Sequence, residues 1–423
     1  MQKIKVYKFG GASVRDDVSL RQVARIIQSA ASGPLVIVLS AMGKTTNALE
    51  KITQEVFIDT DPTDSINQLK DYHRIICEKV FPEGHAVFEG LSSLFDRLAS
   101  TCQAGESPNY NALYDRIVSY GERFSTLILH HFLISHGIGN TLLDSAQLVK
   151  TDDSFRAANV DWVLTHGAIR EIIDPTLPKV WVVQGFIGST VSRLPVTLGR
   201  EGSDFSASIF ASVLGANEVT IWKDVPGVLN ADPQEGKATV KFEKMPYQEA
   251  LELAFYGAKV IHPKTIKPLE NNNIKLLVKP FSDPEASGTL ISSDPELYPQ
   301  ACSAIWKQDQ ILFTLRPRDL SFISESHVHE IMGILAKLGI HQNLIQSSAL
   351  HFSICCDAQE NIVRDLTDGL SSMFHILYNE GLSLLTLRHF SDEDILRNTS
   401  HHEVVMQQQS RITFQAVVRR NRC

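Results

Sequence analysis

In 423 residues there is no C-x-x-C pair, no block of basic residues and no apolar stretch approaching the length of a bilayer span. The six cysteines, Cys77, Cys102, Cys302, Cys355, Cys356 and Cys423, are scattered, which excludes a regular disulfide framework and points to free thiols in a reducing compartment. Cys355 and Cys356 lie in an alternating apolar run, where neighbouring side chains face opposite sides and both can be buried. Basic residues are outnumbered: 40 Lys and Arg against 48 Asp and Glu give a formal net charge of −8. That balance argues against a nucleic-acid partner, and Arg419-Arg420 reads as a solvated tail. Met1 to Lys5 run straight into a strand without an apolar leader, so a cytoplasmic location and no membrane partner are expected.

What is present is an ordinary globular composition, 43% hydrophobic and 21% charged, over a length that calls for two or three domains. The continuous apolar run Leu35 to Leu39, bounded by Gly33-Pro34 and Ser40 to Gly43, reads as a strand buried on both faces, the kind found in parallel sheets covered by helices. Asn47 to His136 is mostly helical in character. Further strands are expected at Ile4 to Tyr7, Thr141 to Leu143, Val180 to Val183, Val219 to Trp222 and Ile274 to Val278, with helices at Ser206 to Leu214 and Tyr247 to Tyr256. This alternation predicts a doubly wound α/β core with a mainly parallel sheet between helices. Turn formers from Phe281 to Pro299 mark a boundary, giving a first domain over 1–295 and a second over 303–423. In the second, short strands at Ile311 to Leu315, Leu350 to Cys355 and Leu382 to Leu387 alternate with helices at Val328 to Leu338 and Asn361 to Met373, predicting a small α+β sandwich.

Two glycine sites carry the chemistry. Lys8-Phe9-Gly10-Gly11 ends the first strand, and a Gly-Gly turn there is either a simple turn or a phosphate cradle, in which positive φ and the missing Cβ let amides converge on oxygen atoms beside the Lys8 ammonium. It is not a Walker A loop, because the lysine precedes the glycines. Gly199-Arg200-Glu201-Gly202-Ser203-Asp204 opens a helix; it offers a guanidinium for carboxylate recognition, while Ser203 or Asp204 could equally serve as a helix cap. Asp204 suits the task of orienting Lys8 or a magnesium-associated water better than that of touching phosphate. Glu122 is read either as a solvated helix residue or as the partner of a substrate ammonium, and His262 before Pro263 is read as structural.

Taken together, Lys8 to Val14, Leu39-Ser40-Ala41 with Thr46-Asn47, Ser119-Tyr120-Gly121-Glu122, Gln184 to Gly188, Gly199 to Asp204, Asp224 to Gly227 with Asp232-Pro233, and Gly257 to Pro263 resemble aspartate kinase and occur in that family's order. The resemblance runs from residue 3 to about Ile291 and continues, more weakly, into a region resembling the ACT regulatory module. It implies an amino-acid-kinase fold that transfers the γ-phosphoryl group of ATP to the side-chain carboxylate of L-aspartate, opening lysine, threonine and methionine synthesis. By resemblance Lys8 and Asp204 are catalytic; Thr46, Glu122, Arg200 and Ser203 hold aspartate; and Lys8, Gly10, Gly11, Ser40, Lys223, Asp224 and Lys259 meet the nucleotide. Mg²⁺ would bridge the phosphates with few direct protein ligands, so no protein metal site is assigned.

The chain also departs from the pattern. Glu201 stands where many relatives carry a glycine, and Leu229 and Gln234 where some have a tyrosine and an arginine in the nucleotide loop. Ser391 to Arg419 is too short for a complete second ACT module and offers chiefly the strand Arg411 to Val418. Asn343 and Ala349 occupy positions where lysine-sensitive relatives place acidic residues, so homodimerisation, rather than lysine feedback, is the use expected of this region. A kinase for another carboxylate or a carbamate is disfavoured by the pairing of Glu122 with Arg200, which suits an α-amino acid. A non-catalytic sensor of the same fold predicts loss of Lys8, Asp204 or the glycines, and all are present.

Overall fold

The computed structural model describes residues 3–30, 33–103, 109–235, 239–258 and 261–420. Their packing divides the chain into two compact units, one of Met1–Val228, Lys241–Leu251 and Lys259–Tyr298, the other of Leu229–Val240, Glu252–Ala258 and Pro299–Cys423. Leu229 and Gln234 thus group with the second unit.

The first unit is built on a sheet whose strands lie in the order Asn140–Leu143, Val180–Gln184, Leu35–Leu39, Lys5–Phe9, Glu218–Lys223, Lys275–Pro280, Thr289–Ser292 and Lys244–Pro246. Every pairing is parallel except that of Lys275–Pro280 with Thr289–Ser292. Leu35–Leu39 is buried at all its positions, as a strand covered on both faces must be. The expected helical region comprises Thr45–Phe57, Thr63–Val80, Ala86–Gln103, Tyr110–Val118 and Tyr120–Ser135. With Asp17–Ala30 these helices bury Phe95, Phe124, Phe132 and Leu20 against one face of the sheet. Gly202–Leu214 is buried almost throughout and packs on Lys5–Phe9, Leu35–Leu39 and Glu218–Lys223. Phe205 to Leu214 reads as amphipathic in the sequence, but the helix is covered on nearly all sides rather than along one face.

The second unit has an antiparallel sheet in the order Gln342–Ser347, Phe352–Asp357, Ser303–Pro317, Phe374–Arg388, Thr413–Arg420 and His402–Gln409. Helices Glu325–Lys337 and Ile362–Leu370 set Ile331, Leu335, Leu366 and Leu370 against Phe313, Ile354 and Phe374 of the sheet, the α+β arrangement expected. The lengths differ from the sequence reading. Ile311 to Leu315 and Leu382 to Leu387 are parts of 15-residue strands, bulged between Lys307 and Gln310, where polar residues had masked the pattern. The stretch after Ser391 holds more than one strand: helix Asp392–Thr399, closed by a Ser391/Asp394 capping box, and the edge strand His402–Gln409, whose polar sequence buries only Met406. Cys355 and Cys356 are buried in clusters on opposite sides of the sheet, and no disulfide joins the five described cysteines.

Candidate functional site

Parallel strands deliver their carboxyl ends to one edge, and three neighbours here deliver Lys8, Ser40 and Lys223. Gly10 and Gly11 follow. Gly10 has φ −77°, and neither glycine needs the positive φ the sequence suggested; the requirement at Gly11 is space, since a Cβ there would sit 2.6 Å from the Ala41 carbonyl. Neither glycine amide donates to an acceptor among the described residues. Lys8 Nζ turns toward Gly10 and lies 2.6 Å from Asp204 Oδ1, and Lys223 Nζ lies 3.5 Å from the other oxygen of the same carboxylate. Burial pushes the Asp204 carboxyl up, but the two ammonium groups outweigh it and hold it below its ordinary range.

Asp204 and Ser203 sit inside the first turn of Gly202–Leu214, so neither is its cap. The preceding residue, Glu201, is left-handed with φ 52° and caps nothing with its side chain; its carboxylate accepts the His262 amide at 2.8 Å. Its negative charge is thereby tied to the start of the helix Pro263–Asn271. His262 in turn accepts the Lys264 amide through Nδ1 and caps Pro263–Asn271, the structural role expected of it.

Glu122 is not a solvated helix residue. It is 3% exposed; Oε1 accepts the Ala41 amide at 3.1 Å, and Oε2 finds no hydrogen-bond partner among the described residues. Burial pushes its carboxyl up to about 8, against the opposing pull of the Ala41 amide, Lys8 and Arg123. Gly121 makes this placement possible, because a Cβ at that position would lie 2.8 Å from the Ala41 side chain.

These groups line one cleft of about 430 Å³ within the first unit. Of the residues singled out from the sequence, it collects Lys8, Ser40, Thr46, Glu122, Arg200, Glu201, Ser203, Asp204 and Lys223. Asp224 is exposed at the end of its strand and is not part of the lining; Gly10 and Gly11 adjoin it through Lys8; Lys259 lies outside the described residues. The cleft also contains Phe186, from the motif Gln184 to Gly188, to which the sequence reading assigns no role, and Tyr114 and Arg156, which lie outside every motif. Arg156 belongs to no motif and reaches the cleft only through tertiary packing. A larger hollow of about 590 Å³ over Trp162, Phe205 and Lys267 carries no carboxylate and none of the motif residues.

Chemically, the cleft offers four cations, a carboxylate braced between two of them, the Glu201 carboxylate held by the His262 amide, and a buried carboxylate with one oxygen unsatisfied. A polyanion and a small zwitterion bearing an ammonium group would satisfy both ends.

Residues 3–280 match the amino acid kinase family. Lysine-sensitive aspartokinase 3 of Escherichia coli is 31% identical over 396 residues, spanning 92% of this chain and 87% of that protein. The chloroplastic bifunctional aspartokinase/homoserine dehydrogenase 2 of Arabidopsis thaliana is 27% identical over 384 residues, and the match spans 42% of its length. The crystal structure of E. coli aspartokinase III in complex with aspartate and ADP superposes with a TM-score of 0.85 at 27% identity, covering 99% of this chain and 96% of that one. By motif order, fold and likeness along nearly its whole length, the chain belongs to the amino acid kinase family and, within it, to the aspartokinases.

Proposed function

We propose that this cleft transfers the γ-phosphoryl group of ATP to the side-chain carboxylate of L-aspartate, giving 4-phospho-L-aspartate and ADP, the first step of lysine, threonine and methionine synthesis. The observation that carries the reading is the pairing of Glu122, buried with a free oxygen, with Arg200, whose guanidinium has no hydrogen-bond or ion-pair partner among the described residues. An α-amino acid brings the complementary ammonium and carboxylate. Thr46 and Ser203 line the same wall and offer hydroxyls to the acceptor.

An aspartate carboxylate is ionised at neutral pH, so no base has to remove a proton from the nucleophile. One of its oxygens forms the new bond to the γ-phosphorus while the bond to the bridging oxygen breaks, and ADP leaves with that electron pair. The work left to the protein is alignment and charge neutralisation. Lys8, braced by Asp204, supplies a fixed ammonium for the migrating phosphoryl group, assisted by the open amides of Gly10 and Gly11. Ser40 and Lys223 serve the nucleotide phosphates; Asp224 and Lys259 are assigned to the nucleotide by resemblance alone. The donor set suits a cation carried by the substrate: Asp204 is engaged by two lysines, and no group of three or more His, Cys, Asp or Glu side chains among the described residues is arranged to hold a metal ion. Mg²⁺ bound with ATP would neutralise phosphate charge.

The unit around residues 303–423 is assigned regulation and homodimerisation, and residues 1–295 catalysis. A reducing location such as the cytoplasm accords with the described cysteines, which no disulfide joins; no helix among the described residues is long and apolar enough to cross a membrane.

An ATP-dependent hydroxamate assay, in which hydroxylamine traps the acyl phosphate, tests the reading. Aspartate gives product, while glutamate and N-acetylglutamate give little; no signal with aspartate overturns it, and a stronger signal with another acceptor favours the kinase for a different carboxylate. Lys8→Ala lowers turnover by about a hundredfold or more, whereas Glu122→Ala acts mainly on aspartate binding.

A further inference from the structure

Arg156 has φ 69°, a left-handed conformation that a long side chain adopts at a cost glycine would avoid. The surroundings hold it there. Its amide donates to Asp115 Oδ2 at 2.9 Å, and the same oxygen accepts the Thr197 amide at 2.9 Å, while Asp115 Oδ1 accepts the Thr197 hydroxyl at 2.7 Å. Asp115 is fully buried, so this bracket is shielded from water. Ala158 adds a backbone bond to the Thr197 carbonyl, and a Cβ on Gly199 would come within 3.1 Å of the Arg156 carbonyl. The Arg156 loop is therefore fastened to the short strand Pro195–Thr197, which leads into Gly199-Arg200.

The side chain is fixed as well. The guanidinium carbon lies 4.4 Å from the centroid of the Tyr114 ring and 6.0 Å from that of Tyr110, and Tyr114 is itself anchored by a hydrogen bond to Glu50 at 2.7 Å. Stacking satisfies the flat face of a guanidinium and leaves its N–H edge open. No acceptor among the described residues takes that edge, although Arg156 lines the same cleft as Arg200 and Glu122.

We infer that Arg156 is a second carboxylate-binding residue of the acceptor site, holding the α-carboxylate of the amino acid together with Arg200. The inference rests on the aspartate reading above. Its logic is a match of charges: Glu122 meets the ammonium, the side-chain carboxylate must stay free to attack phosphorus, and the α-carboxylate is the acceptor group left for a guanidinium pre-oriented on an aromatic platform.

The test uses Arg156→Gly, which keeps the φ of 69° without strain and removes only the side chain, and Arg156→Lys, which keeps the charge but loses the fork and the stack. Arg156→Gly raises KM for aspartate about tenfold, leaves kcat within about twofold and leaves KM for ATP unchanged, with Arg156→Lys in between. Aspartate α-amide, which lacks the α-carboxylate but retains the acceptor group, shows the same KM with wild type and Arg156→Gly. An unchanged KM for aspartate in both variants overturns the inference. So does an equal penalty with the α-amide, which would make Arg156 a loop anchor. Thermal melting shows whether each variant is folded; should Arg156→Gly melt low, the comparison of the two acceptors with Arg156→Lys decides. A wild-type protein inactive on aspartate removes the acceptor reading and this inference together, whereas an active wild type with an indifferent Arg156→Gly removes the inference alone.

Discussion

Glu122 concentrates the energetics of the site in one residue. Its carboxyl stands at about 8 in the folded chain against an ordinary 4.5, because burial penalises the charged form more than the Ala41 amide and Lys8 relieve it. Between those values the folded state holds a proton that the unfolded state has lost, so this group makes stability fall as pH rises from about 4.5 to about 8. Glu122→Gln therefore melts higher than wild type at about pH 9, with a smaller difference at about pH 5. An equal difference at both pH values would contradict the assigned cause. Binding a ligand ammonium requires the ionised form, so aspartate releases a proton on binding near neutrality. Its apparent KM falls as pH is raised from about 6.5 to about 8, and Glu122→Gln removes that slope while weakening aspartate at least about tenfold. A flat KM profile across this window in the wild type would mean that Glu122 does not meet the ammonium. The cost of keeping this carboxylate buried is what a binding site accepts in return for a strong, specific contact.

At the scale of elements, the site depends on helix starts approaching strand ends more closely than a side chain would allow. Gly185 follows the strand Val180–Gln184, donates its amide to the Leu39 carbonyl, and faces the first turn of Gly202–Leu214. A Cβ there would lie 2.5 Å from the Ser203 Cβ, and the next residue, Phe186, donates its amide to Ser206 Oγ of the same helix. Gly185→Ala must push that helix start, with Ser203 and Asp204, away from Lys8. We expect a fall in kcat/KM of at least about a hundredfold with a loss of about 1–3 kcal/mol in stability, measured by the hydroxamate assay and urea unfolding. Near-normal activity would show that the helix start can shift without disturbing the Lys8–Asp204 pair. Element types were largely legible, since buried strands such as Leu35–Leu39 announce themselves by continuous apolarity. Less legible were His402–Gln409 and the ends of the long strands, where an exposed face and a bulge dilute the period of two.

For the molecule as a whole, the question is whether the second unit senses lysine, as the E. coli relative's name says of that protein. Asn343 is fully occupied inside its own unit. Its Nδ2 donates to Gln310 Oε1 and Asp357 Oδ1, each at 2.8 Å, and its Oδ1 accepts the Lys307 ammonium at 2.8 Å. An internal lysine thus already uses the oxygen that an effector ammonium would seek, and Ala349 offers no side-chain acceptor. Added L-lysine changes the rate by less than about twofold, where an allosteric coupling of ordinary size would change it 5-fold or more. Inhibition of that larger size in the hydroxamate assay would overturn this reading of Asn343.

By itself, the sequence determined the class of fold, the ordered motifs and most of the lining of the cleft, because strand burial, glycine turns and cation placement are local properties that leave a local trace. Lys8, Thr46, Glu122, Arg200, Ser203 and Asp204 could all be named from it and do share one cleft. It could not choose between a solvated and a buried Glu122, or between a capping and an ion-paired Asp204, since burial and ion pairing are set by residues distant in the chain. Nor could it find Arg156, whose place beside Arg200 is made by a buried aspartate on another helix and a tyrosine stack. Tertiary structure decided these points because the free energy of a charged group depends on its partners and its exposure to water, and in this chain both are assembled from segments far apart in sequence.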